Sequence, residues 1–156
     1  MDSTVIKRFT FSAGHVLPNH KGKCSRLHGH NYVVEVAVAG DVVAKEGDSS
    51  EGMVLDFGDL TKAIGEVIGD WDHRFLLAGD EGECSKDQKD HGLFEMLMIS
   101  AKLYPNHFVI VGKRTTAENL GQIIYEKVDE WLESYDRAVA HVRVWETESG
   151  SSTYEL

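Results

Sequence analysis

Little in this chain could cross-link it, interrupt it or hold it in a membrane. It has two cysteines, Cys24 and Cys84, and one such pair makes no disulfide framework. Reduced thiols, and with them a cytoplasmic setting, are the expectation. Only two prolines occur, and no stretch is rich in proline or serine. An interdomain linker or a disordered segment is therefore a poor reading. No apolar run is long enough to span a bilayer, and the first residues, MDSTVIKRFTF, hold none of signal-peptide length. Positive charge is scarce as well, with 16 Lys and Arg against 26 Asp and Glu and a net charge of −10. That balance is no electrostatic match for nucleic acid or anionic lipid. The acids are spread along the chain, as on a solvated surface. Positive charge gathers in one place, where Lys21, Lys23 and Arg26 flank Cys24.

The rest is ordinary for a folded domain. At 156 residues with 42% hydrophobic side chains, one domain over 1–156 with a real core is expected. Residues Thr4 to Ala13 read as a strand with Val5, Phe9, Phe11 and Ala13 on one parity. A loop broken by Pro18 and Gly22 follows. A second strand, His28 to Ala39, sets His28, His30, Tyr32, Val34, Val36 and Val38 on one face. Asp56 caps a predicted helix with apolar positions Phe57, Leu60, Ile64, Val67 and Ile68, ended by Gly69. Thr115 and Glu118 form a capping-box pattern, followed by Leu120, Ile124, Val128, Trp131 and Tyr135 at helical spacing. A last strand from Val139 to Glu148 carries Ala140, Val142, Val144 and Glu146 on one parity. The segment at about 78–114 reads as an insertion with a charged loop, an apolar stretch and a short strand at HFVIV. Paired strands separated by helices make an α+β domain with a mainly antiparallel sheet.

The chemistry concentrates on histidine. His28 and His30, one residue apart on a strand, point to the same side. His15 lies just past the first strand and brings a third imidazole if the two strands pair. Three histidines with one open position are the ligand set of a catalytic zinc. A His-x-His pair alone is more often two surface or core histidines than a metal site, but Val34, Val36 and Val38 share this face and turn it inward. Buried imidazoles without partners are costly, and a metal would satisfy them. Cys24, four residues before His28, reads three ways: a base or nucleophile, a fourth structural ligand, or a plain loop cysteine. Asp72 and His73 could form an orienting pair. Adjacent residues in an extended segment face apart, however, which favours a helix-end histidine beside a solvated acid. Glu146, an acid on an apolar parity, could accept two hydrogen bonds from an amino-pyrimidine edge.

In order, FSAGHVLP, CSRLHGHNY, GMVLDFGDL, DHRFLL, TTAENL and VWETES resemble the motifs of the 6-pyruvoyltetrahydropterin synthase and 6-carboxytetrahydropterin synthase family. The resemblance covers most of the chain. It implies the tunnelling fold, a four-stranded antiparallel sheet packed on two helices, in homo-oligomers that are commonly trimers stacked into hexamers. It implies Zn2+ on His15, His28 and His30, catalytic roles for Cys24, Asp72 and His73, and a pterin anchor in Glu146, with Thr116 and Glu118 also at the substrate. In the family the Asp-His pair reaches the cysteine across a subunit boundary. The implied substrate is 7,8-dihydroneopterin triphosphate, with Lys21, Lys23 and Arg26 as candidates for its phosphates. The Cys-x3-His-x-His spacing resembles the 6-carboxytetrahydropterin synthases of the queuosine (7-deazapurine) pathway. The pyruvoyl-forming enzymes of tetrahydrobiopterin synthesis, and a pterin-binding oligomer without turnover, are the alternatives. This chain departs from the pattern in the insertion between Leu77 and Arg114 and in Trp71, where leucine commonly precedes the Asp-His pair.

Overall fold

The computed structural model describes residues 2–79 and 87–156. Cys84 and part of the charged loop lie outside the described residues. Two 14-residue strands, β1 (Asp2–His15) and β2 (His28–Asp41), pair antiparallel along their full lengths. Alternation does the sorting, because Phe11, Ala13 and His15 are buried while Ile6, Arg8 and Thr10 are exposed. On β2, Tyr32, Val34 and Val36 are sealed on the same face. A register shift at Ala37/Val38 then lets both of those residues be buried.

The remaining elements are α1 (Phe57–Ile68), β3 (Arg74–Leu77), α2 (His91–Leu103), β4 (Phe108–Ile110), α3 (Ala117–Leu132), β5 (Ala138–Thr147) and β6 (Gly150–Tyr154). The sheet is six-stranded with order β4-β3-β1-β2-β5-β6. Its β3 pairs parallel with β1 and with β4, and the other ladders are antiparallel. The expected four-stranded antiparallel sheet on two helices is thus corrected to a mixed six-stranded sheet with three helices among the described residues. The extra strands and helix come mostly from the segment at about 78–114, whose apolar stretch forms α2. There Leu97 and Ala101 pack with Val16 and Leu77 in a small core of their own.

The main core lies between the sheet and helices α1 and α3. Leu60, Ala63, Ile64, Val67 and Ile68 come from α1, and Leu120, Ile124, Val128 and Leu132 from α3. Each fully buried aliphatic side chain contributes roughly 1.5–3 kcal/mol. Asp56 caps α1 by accepting from the Gly58 N–H, and Gly69 ends it in a right-handed conformation. Phe57 departs from expectation, being 51% exposed. It sits next to the cap, before the helix turns toward the sheet, and the Lys7 ammonium lies 5.6 Å from its ring. Tyr135 lies beyond α3, in a 3₁₀ turn, and stacks on Trp131 at 4.9 Å. Trp71, the departure from the family pattern, is a buried core residue set edge-on to Phe11.

Candidate metal centre

The β1–β2 register sets His15 directly opposite His28, and Ala13 opposite His30. Three imidazoles therefore meet at one end of the strand pair, with ring centroids 4.4–5.1 Å apart. One ring nitrogen from each forms a group whose members all lie within 4.8 Å of one another. The Nε2 atoms of His15, His28 and His30 are buried without hydrogen-bond partners. The opposite nitrogens of two of them are engaged. His15 Nδ1 donates to the Thr115 carbonyl at 2.8 Å, and His28 Nδ1 donates to the Arg26 carbonyl at 2.7 Å. A carbonyl only accepts, so the proton is on Nδ1 and the Nε2 lone pair is free. Three inward lone pairs, two of them oriented from behind by carbonyls, can hold a metal ion. Burial pushes the His15 pKa down to about 4, with His28 and His30 adding to the shift against the Thr115 bond. Burial also lowers that of His30, against the pull of Glu146. Both rings are thereby kept neutral, the form a metal needs.

Glu146 stands at the rim of this centre. Its Oε1 is 3.4 Å from His15 Nε2 and 3.7 Å from His30 Nε2, and it accepts from the Tyr32 hydroxyl at 3.5 Å. It sits where the β5–β6 register shifts between Trp145 and Thr147, the kind of irregularity that re-aims a side chain next to a site. Burial, then Glu146, pushes the Tyr32 hydroxyl well above its usual pKa. Glu146 also lines a cavity of about 300 Å³ with Thr116, Glu118, Leu17 and Ser151. Thr116, Glu118 and Glu146 are thus brought together, 30 residues apart in sequence at the widest.

Cys24 sits in a 3₁₀ turn (Lys23–Ser25), and its carbonyl accepts from the Leu17 N–H. The metal-capable group among the described residues holds the three histidines and not Cys24, which tells against a fourth structural ligand.

Asp72 and His73 do meet, against the expectation drawn from their adjacency. His73 has φ 60, so the backbone turns between them and His73 Nδ1 reaches Asp72 Oδ2 at 2.8 Å. Ser12 on β1 fixes the turn. Its N–H donates to Asp72 Oδ1 at 2.8 Å, and its carbonyl accepts from the His73 N–H at 2.7 Å. The Ser12 bond, then His73, holds the Asp72 carboxyl below its usual pKa. His73 opens into a cavity of about 580 Å³ that His28 and His30 of the triad also line and that Cys24 and Glu146 do not.

The capping box is corrected too. Thr116, not Thr115, caps α3 by accepting from Asn119 N–H, while Thr115 is buried and supports His15. The supporting roles of Thr115, Arg26 and Ser12 carry no residue-type signal, because the contacts run chiefly through their backbone atoms.

The family described as 6-pyruvoyl tetrahydropterin synthase matches residues 4–156. The chain belongs to this family. Among its relatives, the 6-carboxy-5,6,7,8-tetrahydropterin synthase of Haemophilus influenzae is 33% identical over 97% of both chains. The protein of the same name from Rickettsia bellii is 32% identical over 90% of this chain and 91% of its own. The structure of Caenorhabditis elegans 6-pyruvoyl tetrahydropterin synthase superposes with a TM-score of 0.64 at 25% identity, covering 100% of this chain and 96% of that one. No helix among the described residues is long and apolar enough to cross a membrane.

Proposed function

We propose that this protein is a zinc-dependent lyase. It would convert 7,8-dihydroneopterin triphosphate and one water to 6-carboxy-5,6,7,8-tetrahydropterin, releasing acetaldehyde and triphosphate, in the queuosine (7-deazapurine) pathway. The observation that carries the reading is the set of three buried, partnerless Nε2 atoms beside Glu146. Neutral imidazole nitrogens in a triad with an open side suit zinc. When bound, the ion supplies Lewis acidity toward the substrate's side-chain hydroxyls.

The chain's own residues would do the rest. Glu146, held by the Tyr32 hydroxyl, binds the amino-pyrimidine edge of the pterin through paired hydrogen bonds. Thr116 and Glu118 line the same cavity and confine the ring. Cys24 and His73 move protons at the side-chain carbons, with Asp72 orienting the His73 ring through Nδ1. Within one chain, Cys24 does not line the cavity into which His73 opens. Their joint use therefore calls for a homo-oligomer, trimeric or hexameric, in which His73 of one subunit meets Cys24 of another.

The carboxy-forming product is preferred on the Cys-x3-His-x-His spacing and on the names of the relatives above. Mass spectrometry of products from zinc-loaded protein and 7,8-dihydroneopterin triphosphate tests it. A 6-carboxypterin with acetaldehyde is expected. A pyruvoyl product would move the protein to the tetrahydrobiopterin-type branch, and no turnover with zinc bound would leave a pterin-binding oligomer.

A further inference from the structure

Behind the histidine triad, the opposite face of β1 and β2 carries a second constellation. Gly14 and Gly29 are register partners, and the next pair along is Ser12 and Asn31, joined by a 2.7 Å hydrogen bond. The glycines leave this end of the face without side chains. A Cβ on Gly14 would lie 2.5 Å from a Phe75 ring carbon, and one on Gly29 would lie 2.8 Å from the Ala13 carbonyl. Bare backbone with Phe75 at its side makes the floor of the 580 Å³ cavity, and His73, Arg74 and His107 line it together with His28 and His30 of the triad.

His107 ends the 3₁₀ turn Pro105–His107, which follows α2. It belongs to the segment that the family motifs pass over. Its N–H donates to the Tyr104 carbonyl at 3.0 Å, and its ring stands edge-on to Tyr104. Arg74 approaches Asp70 only at 3.8 Å, and Asp70 is 77% exposed. An exposed pair of that length is worth little and leaves the guanidinium fork available. The other acid nearby, Asp72, is already engaged by Ser12 N–H and His73. With the Ser12 hydroxyl donating to Asn31 Oδ1, the donors facing the cavity are the Arg74 guanidinium, the imidazoles of His73 and His107, and the Asn31 amide nitrogen. A fork beside further N–H donors matches an anion with several oxygens on tetrahedral centres.

We infer that Arg74 and His107 receive the polyphosphate arm of the substrate, in the cavity into which His73 opens. This rests on the lyase reading for the identity of the substrate, but not for the anion site itself. If Glu146 of one subunit holds the pterin ring and His73 of another acts on the side chain, the arm beyond that side chain lies toward the residues beside His73. The loop cations Lys21, Lys23 and Arg26 are exposed and line neither cavity.

Calorimetric titration of the zinc-loaded protein with inorganic triphosphate tests the inference. Arg74→Gln and His107→Gln should each weaken binding about tenfold, the loss expected for one charge-assisted contact. His107→Lys should restore it, and the triple variant K21Q/K23Q/R26Q should bind as the parent does. His107 is exposed, so its variants are expected to keep the parent's melting temperature, and Arg74→Gln is compared only if its melting is also unchanged. Failure of the parent to bind triphosphate, unaltered affinity in the two single variants, or loss confined to the triple variant would each overturn the inference. On 7,8-dihydroneopterin triphosphate, His107→Gln should raise KM with little change in kcat. A parent that binds triphosphate through Arg74 and His107 but turns nothing over would sink the lyase reading and leave this site standing.

Discussion

His15 is the most enclosed of the three histidines, with no exposed surface, and its energetics set the pH behaviour of the metal-free protein. Its pKa falls from 6.5 to about 4 on folding because burial disfavours the charged ring. Above pH 6.5 the ring is neutral in both states and costs nothing. Between 6.5 and 4 the unfolded chain takes up a proton that the folded one refuses, so stability falls as pH falls. The full loss, reached near pH 4, is roughly 3 kcal/mol. Urea unfolding of the metal-free protein from pH 7 to 4 should show the midpoint dropping, and His15→Gln should flatten that slope. Zinc content separates the roles of two neighbours. His28→Ala should lose the ion by elemental analysis. Cys24→Ala should keep it and lose turnover, and loss of zinc from Cys24→Ala would revive the structural-ligand reading.

At the scale of elements, caps and patterns decide the outcome. Thr116→Ala removes the acceptor for the Asn119 N–H and should cost about 1 kcal/mol in chemical denaturation. Because Thr116 also borders the Glu146 cavity, a rise in KM beyond what this loss explains would mark a substrate contact. Ile64→Ala, in the sealed core face of α1, should cost about 2–5 kcal/mol. The helices α1 and α3 were legible because apolar spacing and an Asp or Thr cap coincide at their starts. Resolution stopped at one residue, with Thr115 taken for the cap of Thr116, since adjacent threonines offer the same side-chain oxygen. The stretch that forms α2 was not legible. It is apolar on several sides, with Met96, Ile99 and Leu103 exposed, so it shows little periodicity to read.

At the scale of the whole molecule the proposed proton-transfer groups stand apart, because Cys24 does not line the cavity into which His73 opens. If sites form between subunits, two dead variants can complement each other. Co-expressed Cys24→Ala and His73→Ala chains should recover a measurable fraction of activity, since some mixed sites carry both intact groups. Recovery no greater than the sum of the two separate variants would confine each site to one chain. The sheet's open edges, β4 and β6, offer unpaired backbone to another subunit, so sedimentation should show an oligomer larger than the 17.4 kDa chain.

The sequence by itself determined which side chains share a face. Two-residue alternation is a local steric rule, so His28, His30 and the valines beyond them had to point one way, and His15 joined them once β1 and β2 paired. Tertiary structure decided what stands behind and around those side chains. The carbonyl that orients His15 comes from Thr115, 100 residues away, and nothing in either residue's neighbourhood announces the contact. Asp72 and His73 meet because Ser12 stabilises a left-handed turn between them, against the usual preference of a non-glycine residue. His107 reaches the cavity of His73 only because β4 pairs with β3. Contacts of that kind depend on how distant elements dock, and local periodicity carries no information about docking.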